Sequence, residues 1–464
     1  MKLAGLHILI MGLGESGLAC ARWCVRQQAD VLVLDTRSQP PFLAALQQQV
    51  PSARFVHGPV NEDFDKNLLH GIDLLVLSPG LSAGSLAVIH ARAQGIPVVG
   101  EIELFAWALQ QYELRRDAAL IAITGTNGKT TTTTLAAHLC QSAGRNAVAA
   151  GNISPAALDA FMTAQDEGHW PTVWVLELSS FQLETVTSLN ADAATVLNIS
   201  DDHLDRYIDL DDYACAKTRI FAGNGVQVLN RDDARVKRMA QPGRRLISFG
   251  LDAPGDELDF GIRHYHNEAW LVQGEQPLLA VRELPIAGLH NAANALAALA
   301  LGQGIGLSAN QLLGGLRSFR GLPHRVEHIA DIDGVGYFDD SKGTNVGATE
   351  AALKGMGRKV VVILGGDGKG QDFSPLRSAL AEHARAAVLI GKDGPTIANA
   401  VAGCGIPLTT ATDMADAVAK AAASAQSGDA VLLSPACASF DMFRNYEHRA
   451  KVFIEAVLRL KEAQ

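Results

Sequence analysis

The amino-acid sequence predicts an α/β protein with three domains. Its 464 residues exceed what one hydrophobic core supports, since domains average roughly 150 residues. Apolar runs of strand length alternate with helical stretches in three successive blocks, and this alternation is typical of parallel sheets covered by helices. Each block also carries glycine-rich or polar turns directly after its strands. We therefore place the domains at residues 1–100, 101–321 and 322–464.

The composition excludes several classes of function. Hydrophobic residues make up 48% of the chain and charged residues 19%, so the chain can bury large cores and is not disordered. The 39 Lys and Arg against 49 Asp and Glu give a net charge of −10, which argues against nucleic-acid or anionic-membrane binding. The six cysteines form no CxxC pair, as expected in a reducing compartment. We expect a cytoplasmic protein with no nucleic-acid partner and no membrane partner.

The first block has the pattern of a Rossmann-like domain. The apolar run His7–Met11 leads into Gly12-Leu13-Gly14-Glu15-Ser16-Gly17, a helical stretch follows, and the next strand ends at Asp35, 18 residues after Gly17. Such glycines let the backbone approach a diphosphate, and the acidic residue can accept a hydrogen bond from a ribose. Alone, the pattern suggests an NAD-dependent oxidoreductase, but any nucleotide diphosphate satisfies its chemistry. A purely structural glycine turn is the remaining alternative.

The strongest signal is a phosphate-binding loop in the second block. The apolar run Ala119–Thr124 delivers Gly125-Thr126-Asn127-Gly128-Lys129-Thr130-Thr131, where a helix begins. Unpaired N–H groups at a helix start bind anions, while Lys129 adds charge for the outer phosphates and Thr130 offers a hydroxyl to Mg²⁺. Because Ile123 stands where the usual motif has its first glycine, this is a shorter variant. The implied ligand is a nucleoside triphosphate with magnesium, and the alternative is a Gly/Thr-rich surface turn.

Polar residues follow two more strands of this block. Glu177 lies at the end of the buried run Val173–Leu178, and the segment Asn198–Asp205 follows the next strand. Since ligands of parallel sheets bind at strand carboxyl ends, we expect a carboxylate beside the phosphate loop to bind Mg²⁺. Helix capping is the alternative for the second segment. From spacing alone, Lys217 is predicted to be a solvated surface lysine, and alternating stretches between about residues 257 and 286 predict a few antiparallel strands.

In the third block, polar clusters follow three predicted strands. They are Asp339–Asn345, Leu364–Gly370 and Leu433–Ser439. Because the carboxyl ends of parallel strands share one edge, the clusters should line one rim, where Lys342 and Lys369 suit a small anionic substrate. Ordinary turn chemistry is the alternative for any single cluster.

Taken together, these motifs resemble those of the Mur ligase family. The segments that carry the resemblance span the chain in family order: Thr124–Thr131, Gly151–Ile153, Leu176–Glu184, Asp202–Tyr207, Ala216-Lys217, His290-Asn291, Leu322–Arg325, Asp340–Lys342, Gly365–Lys369 and Ser434–Ser439. The resemblance implies an N-terminal Rossmann-like UDP-binding domain, a central P-loop ATPase-like domain with a small antiparallel sheet, and a C-terminal Rossmann-like domain that binds glutamate.

The resemblance also implies a reaction. It is closest to the branch that adds D-glutamate to UDP-N-acetylmuramoyl-L-alanine in cytoplasmic peptidoglycan synthesis, and the alternative is the L-glutamate-adding variant. ATP phosphorylates the substrate carboxylate, the amine of glutamate attacks the acyl phosphate, and ADP and phosphate are released. Two Mg²⁺ ions and lysines neutralise the phosphate oxygens. We expect a monomer whose third domain closes over the second.

Individual roles follow from the resemblance. The ATP-binding set is Gly125, Thr126, Asn127, Gly128, Lys129, Thr130, Thr131, Asn294, Arg325 and Asp340. The metal ligands are Thr130, Glu177, His203 and Lys217, the last as a carbamate formed with CO₂. The UDP-sugar set is Gly14, Ser16, Asp35, Thr36, Arg37, Gly80, Asn152 and His203. The glutamate set is Lys342, Thr344, Lys369, Ser439 and Tyr446, and the catalytic set is Lys129, Glu177, His203, Lys217 and Lys342.

Three other hypotheses compete with this assignment. An NAD-dependent dehydrogenase rests on the first glycine pattern and Asp35. A folylpolyglutamate synthetase-like ligase has a similar phosphate loop but needs no N-terminal UDP domain. A non-enzymatic P-loop binding module leaves Glu177, His203 and Lys217 unexplained.

Overall fold

The computed structural model describes residues 2–202, 206–286 and 288–462. These residues form three sheets, each built from one stretch of the chain and each covered by helices. The predicted α/β class with three sheet-containing domains is confirmed. Within the described ranges, no helix is long and apolar enough to cross a membrane.

The first sheet is entirely parallel and has the strand order β3-β2-β1-β4-β5. Its strands are β1 (His7–Met11), β2 (Asp30–Asp35), β3 (Arg54–His57), β4 (Leu74–Leu77) and β5 (Val98–Val99). Its helices are α1 (Glu15–Arg26), α2 (Leu43–Gln49) and α3 (Leu86–Ala93). The chain reverses direction across the sheet at β1, so the turns after β1, β2 and β4 lie at one edge, where parallel sheets bind ligands.

The second sheet has the order β14-β13-β12-β11-β10-β9-β6-β8-β7 among the described residues. Its strands are β6 (Ala119–Thr124), β7 (Ala147–Gly151), β8 (Val173–Glu177), β9 (Ala193–Val196), β10 (Val226–Asn230), β11 (Leu246–Phe249), β12 (Phe260–Tyr265), β13 (Glu268–Gln273) and β14 (Gln276–Ala280). The last three pair in antiparallel fashion, which confirms the predicted antiparallel segment. The remaining pairs are parallel.

Eight helices accompany this sheet in the described part of the chain. They are α4 (Glu101–Gln111), α5 (Lys129–Ser142), α6 (Ala157–Glu167), α7 (Ser180–Leu183), α8 (Leu210–Thr218), α9 (Ala234–Lys237), α10 (Leu289–Gly304) and α11 (Ala309–Ser318). The Ala-rich helix α10 packs against α5. Its small side chains therefore support the helix that follows the phosphate loop.

The third sheet has the order β15-β16-β20-β17-β18-β19, with β15 as an antiparallel edge strand. Its strands are β15 (Glu327–Ile332), β16 (Val335–Asp339), β17 (Val360–Gly365), β18 (Ala384–Ile390), β19 (Leu408–Thr410) and β20 (Ala430–Leu433). Its helices are α12 (Val346–Gly355), α13 (Leu376–His383), α14 (Gly394–Ala400), α15 (Met414–Ser424) and α16 (Tyr446–Glu462). Strands β16, β20 and β17 are neighbours, so the three predicted polar clusters share one rim.

A continuous core joins the first and second sheets. Trp23 of α1 meets Phe161 of α6 edge-on, with ring centroids 5.3 Å apart, and Phe161 in turn stacks on Trp174 of β8 at 6.2 Å. Phe105 of α4 contacts Trp174 edge-on at 5.2 Å. All four side chains are buried and belong to one hydrophobic cluster. The described residues around the third sheet form two cores of their own, so the third domain packs separately.

We expect Trp23→Ala to destabilise the first two domains together, because it leaves a cavity in a core that both share. Truncation of a buried tryptophan costs about 3–5 kcal/mol of unfolding free energy. Guanidinium denaturation followed by circular dichroism measures this loss. Trp270→Ala, which removes a half-buried side chain from β13, should cost clearly less. Equal losses for the two variants would contradict a shared core.

Candidate active site

The phosphate-binding loop has the geometry that its sequence predicts. It connects β6 to α5, and Gly125 and Gly128 have φ of +151° and +81°. A Cβ on Gly128 would lie 2.4 Å from the side-chain oxygen of Asn294, and one on Gly125 would lie 2.9 Å from Cβ of Leu197. Only glycine fits both positions, since both the backbone angle and the space exclude a larger residue.

Lys129 folds back over this loop. Its Nζ donates to the carbonyl oxygens of Gly125 at 2.9 Å and Thr126 at 2.8 Å. The loop is braced by Asn198, whose Oδ1 accepts from the Asn127 N–H at 2.8 Å and whose Nδ2 donates to the Asn127 carbonyl at 3.1 Å. Asn198 is not among the predicted site residues, although its position directly after β9, at the ligand-binding edge of the sheet, indicates a place in the site.

The third domain contributes side chains to the same place. Arg325 donates from Nη2 to Oγ1 of Thr130 at 2.9 Å, and Asn345 donates to Oδ1 of Asn127 at 3.4 Å. A cavity of about 140 Å³ lies between the loop and this domain. Its lining includes Asn127, Gly128, Thr131, Asn294, Arg325 and Asp340. The structure therefore brings the predicted ATP-binding residues together across two domains.

The backbone around Arg325 is held in an uncommon conformation. His324 and Val326 on either side have φ of +63° and +49°, values that L-residues adopt rarely. Nδ1 of His324 is hydrogen-bonded to Oδ2 of the buried Asp339 at 2.7 Å, and the backbone N–H of His324 donates to Oε2 of Glu327 at 2.9 Å. His324, Glu327 and Asp339 are close enough to hold a metal ion, but none of them belongs to the predicted metal set.

Asp340 is buried beside Arg325. Its Oδ2 accepts a hydrogen bond from the Ser434 hydroxyl at 2.7 Å. Burial raises the pKa of Asp340 to about 7, against the lowering effects of the Ser434 hydrogen bond and the Arg325 charge. The carboxyl group therefore gains and loses its proton near neutral pH in the ligand-free protein.

Glu177 offers an unused oxygen at the end of β8. The side chain is 2% exposed, and Oε1 accepts from Nδ2 of Asn152 at 3.0 Å. Oε2 is buried and has no hydrogen-bond partner among the described residues. An unpaired carboxylate oxygen is costly in the interior unless a cation or donor reaches it, so the position fits a Mg²⁺ ligand.

Lys217 is not the surface residue that spacing alone predicted. It is 1% exposed, and its Nζ donates to the Gly125 carbonyl at 2.9 Å and to Oγ1 of Thr124 at 3.3 Å. The amine also lies 4.5 Å from the ring centre of Tyr213. Burial, and next the nearby Lys129 charge, lower the pKa of Lys217 well below its usual value. A lowered pKa favours the uncharged amine, which is the nucleophilic form. The other predicted ligand, His203, lies outside the described residues.

The predicted UDP-sugar residues gather at the ligand-binding edge of the first sheet. They come from the turns after β1, β2 and β4, where Thr36, Arg37 and Gly80 are exposed. Asp35 is buried and accepts from the Leu13 N–H at 2.7 Å and from Nε and Nη2 of Arg37 at 2.8 and 2.9 Å. Burial alone would raise the pKa of Asp35, but these hydrogen bonds lower it to about 2. Leu13 and Arg37 of the same domain therefore take up much of the hydrogen-bonding capacity of the Asp35 carboxylate. Asn152 lies apart from this edge, on the central domain beside Glu177.

The predicted glutamate residues lie on the rim formed by β16, β20 and β17. Nζ of Lys342 lies 5.3 Å from the ring centre of Tyr446, and burial lowers the pKa of this lysine. Ser439 is buried, whereas Thr344 and Lys369 are exposed. Asp367 pairs with Ala438 through backbone hydrogen bonds of 2.9 Å, which joins the two glycine- and serine-containing turns. The rim therefore carries both lysines and the buried Ser439, and its role in binding glutamate stays a prediction.

One residue of this rim was missed. Arg449 of α16 is fully buried, donates from Nη1 to the Cys437 carbonyl at 3.1 Å, and donates from Nε and Nη2 to Oγ and the carbonyl of Ser341 at 3.0 and 2.8 Å. Burial lowers the pKa of Arg449 to about 10. The side chain holds two of the polar clusters against each other. An arginine in an amphipathic helix is expected on the solvent face, so no local pattern indicated this role.

Family models match the chain in the order of its three sheets. The model "Mur ligase MurD-like, N-terminal domain" matches residues 6–100, "Mur ligase middle domain" matches 123–302, and "Mur ligase, glutamate ligase domain" matches 324–437. A protein of Aromatoleum aromaticum named UDP-N-acetylmuramoylalanine--D-glutamate ligase is 56% identical over 465 residues, which cover 100% of this chain and 99% of that one. The chain belongs to the Mur ligase family.

Further relatives and solved structures agree with this membership. A Thiobacillus denitrificans protein with the same name is 54% identical over 471 residues, covering 99% of this chain and 98% of the relative. The crystal structure of UDP-N-acetylmuramate-alanine ligase MurC from Thermotoga maritima covers 99% of this chain and 100% of its own, with a TM-score of 0.57 at 19% identity. MurF from Acinetobacter baumannii has the same TM-score at 22% identity and covers 84% of this chain and 86% of its own. These two structures support the Mur ligase fold.

We expect Asp340→Asn to change how stability depends on pH. The unfolded carboxyl group titrates near pH 4 and the folded one near pH 7, so between these values the folded state holds a proton that the unfolded state has released. Wild-type stability should therefore fall as pH rises from 4 to 7, whereas the amide loses nothing. The stability of the variant relative to wild type should rise by about 2–4 kcal/mol over this range. Urea denaturation at several pH values measures it, and parallel pH profiles would contradict the raised pKa.

Proposed function

We propose that the chain is an ATP-dependent ligase that joins D-glutamate to UDP-N-acetylmuramoyl-L-alanine during peptidoglycan precursor synthesis. The observation that carries this proposal is end-to-end identity of 54–56% with ligases named for D-glutamate, on a chain whose phosphate-loop residues, buried Asp340 and third-domain Arg325 line one cavity. The L-glutamate alternative has no support among these relatives. The NAD hypothesis is disfavoured because the model of the MurD-like N-terminal domain matches residues 6–100, the segment that carries the glycine pattern.

The chemistry takes two steps. A carboxylate oxygen of the UDP substrate attacks the γ-phosphorus of ATP, the bond to the bridging oxygen breaks, and ADP leaves. The uncharged amine of D-glutamate then attacks the acyl carbon, and phosphate leaves as the amide bond forms and the amine loses a proton. ATP thereby turns a poor leaving group into a good one. The protein must gather negative charge in the first step and orient the amine in the second.

The phosphate loop and Arg325 serve the first step. The N–H groups at the start of α5 point toward the site of the phosphates. Nζ of Lys129 donates hydrogen bonds to two carbonyl oxygens of the loop. It is placed to exchange these oxygens for phosphate oxygens. Arg325 already reaches the loop from the third domain, so it adds positive charge once the two domains are together.

Magnesium fits the donors beside the loop. The free Oε2 of Glu177 and the hydroxyl of Thr130 are hard oxygen ligands of the kind Mg²⁺ prefers. The ion would supply charge neutralisation for the phosphate oxygens. We propose two ions, with His203 and Lys217 completing the second set of ligands.

Lys217 suits a metal site only after modification, because an ammonium repels cations. Its burial and lowered pKa favour the neutral amine, whose nitrogen can attack CO₂ and release a proton to give an N-carboxylate. The product carries a negative charge where Mg²⁺ needs one, and it removes a positive charge from beside Lys129. We therefore propose the carbamate as the working form.

The domains divide the substrates among them. We propose that residues 1–100 bind the UDP-sugar, residues 101–321 bind ATP, and residues 322–464 bind glutamate at the rim that carries Lys342, Ser439 and Tyr446. We further propose that the enzyme acts as a monomer in the cytoplasm.

Phosphate release tests the reaction. We expect continuous phosphate release only when UDP-N-acetylmuramoyl-L-alanine and D-glutamate are both present with Mg²⁺, because the amine of glutamate is needed to discharge the acyl phosphate. L-Glutamate in place of D-glutamate is the matched control and should give no turnover. Coupled phosphate assays with each mixture measure this, and turnover that is indifferent to both substrates would reject the assignment.

Lys217→Ala should reduce turnover by roughly the 10²–10³-fold seen when a charge-stabilising group is removed. Added formate or acetate should restore part of the rate, because a small carboxylate can occupy the space of the missing carbamate. Lys237→Ala, which changes an exposed lysine of α9, is the control and should behave like wild type. Full activity of Lys217→Ala would eliminate the proposed carbamate.

A further inference from the structure

Arg206 lies where the first and central domains meet, and the roles assigned so far do not include it. Its guanidinium donates from Nη1 to the Pro79 carbonyl at 3.0 Å and from Nη2 to the Leu81 carbonyl at 3.1 Å. The side chain is only 13% exposed. Both carbonyls belong to the turn after β4, and Gly80 of the proposed UDP-sugar site lies between them.

The same guanidinium is fixed from the central domain. Nη2 pairs with Oε2 of Glu184 at 2.7 Å, and the guanidinium carbon lies 4.0 Å from the ring centre of Phe181. Glu184 is held in turn by the Tyr207 hydroxyl, which donates to Oε1 at 2.8 Å. Phe181 and Glu184 lie on and directly after α7, which begins three residues after Glu177. Arg206 therefore bridges the end of the central strand that carries Glu177 and a turn of the first domain.

The turn that Arg206 holds is packed on the first glycine loop. The Ser78 N–H donates to the Met11 carbonyl at 2.9 Å. A Cβ on Gly12 would lie 2.8 Å from Cβ of Ser78 and 3.3 Å from Cδ1 of Leu81. Little space therefore separates the turn from the backbone at Gly12. A shift of the turn moves the loop from Gly12 to Gly17 with it, because packed interiors transmit small displacements.

We propose that Arg206 is a positioning residue that aligns the UDP-sugar site with the Glu177 end of the central sheet. The inference rests on the proposed function, since it presumes that the first domain binds the UDP substrate. An arginine suits the task because its planar fork donates in several fixed directions and stacks on an aromatic ring. The phosphate loop is braced by Asn198 and Asn294 instead, so ATP binding does not depend on Arg206.

The test is Arg206→Lys, assayed as steady-state phosphate release with each substrate varied in turn. The lysine keeps the charge but loses the fork and the stacking, so KM for UDP-N-acetylmuramoyl-L-alanine should rise at least about tenfold, the loss expected for one charged hydrogen bond. KM for ATP and the melting temperature should stay near wild type. Arg219→Lys is the matched control, because Nη1 of Arg219 also donates to Glu184, at its backbone carbonyl oxygen, over 2.6 Å. This variant should leave all three KM values unchanged.

Glu184→Gln provides a second route if Arg206→Lys does not fold. The amide keeps the shape but weakens the hold on the guanidinium, so KM for the UDP substrate should rise by about threefold or more. An unchanged KM in either folded variant overturns the inference. A uniform rise of every KM together with a lower melting temperature also overturns it, because that is what a merely structural residue gives.

Calorimetric titration of the wild-type enzyme with UDP-N-acetylmuramoyl-L-alanine separates the two proposals. If wild type binds the compound and Arg206→Lys binds it equally well, only the role of Arg206 fails. If wild type does not bind it, the proposed function fails and the role of Arg206 fails with it.

Discussion

Two lysine amines share one carbonyl oxygen at the centre of this molecule. Lys129 and Lys217 each donate to the Gly125 carbonyl at 2.9 Å, and the glycine loop can bring that oxygen to both because Gly125 has a backbone angle open to glycine alone. Like charges this close are unfavourable, and the proximity of Lys129 is the second cause, after burial, of the lowered pKa of Lys217. The carboxylates of Glu177 and Asp202 oppose this effect and raise the pKa of both lysines. A carbamate on Lys217, as proposed, would replace one of the two crowded amines by a negative charge.

This constraint explains why the site is spread over two domains. The third domain inserts Arg325 next to Thr130, and the uncommon backbone angles of His324 and Val326, with the hydrogen bond between His324 and Asp339, hold the arginine there. Such strain persists only where surrounding structure fixes it. Arg325 already donates to Thr130, and phosphate oxygens would give its guanidinium further favourable contacts, so we expect nucleotide binding and the contact between the two domains to favour each other. Asp340 lines the same cavity as Arg325, and burial raises the pKa of Asp340 against the smaller, lowering effect of the Arg325 charge.

The sequence predicts the strand ends better than the side chains that support them. Glu177, Lys129 and the three rim clusters were placed correctly because parallel strands bring their carboxyl ends to one edge whatever the details of packing. Lys217 shows where prediction from local pattern ends. Its spacing indicates a surface residue, and only the family resemblance implies a role for it. The role of Arg449 could not be predicted, because burial of an arginine depends on carbonyl groups from distant segments, and no local sequence pattern encodes these. The short strands β3 and β19 were also missed, because Arg54–His57 and Leu408–Thr410 are partly exposed and lack an apolar run.

The domains differ in how firmly they are joined. The first two domains share a buried aromatic core through Trp23 and Phe161, whereas the third has cores of its own and meets the phosphate loop through polar contacts. A shared core resists separation because exposing it loses apolar burial, while polar contacts exchange readily with water. The acceptor carboxylate and the γ-phosphate must be aligned to react, and both would be held by the rigid pair. The amine of glutamate is needed only afterwards, so the proposed glutamate site can lie on the domain that shares no core with the other two.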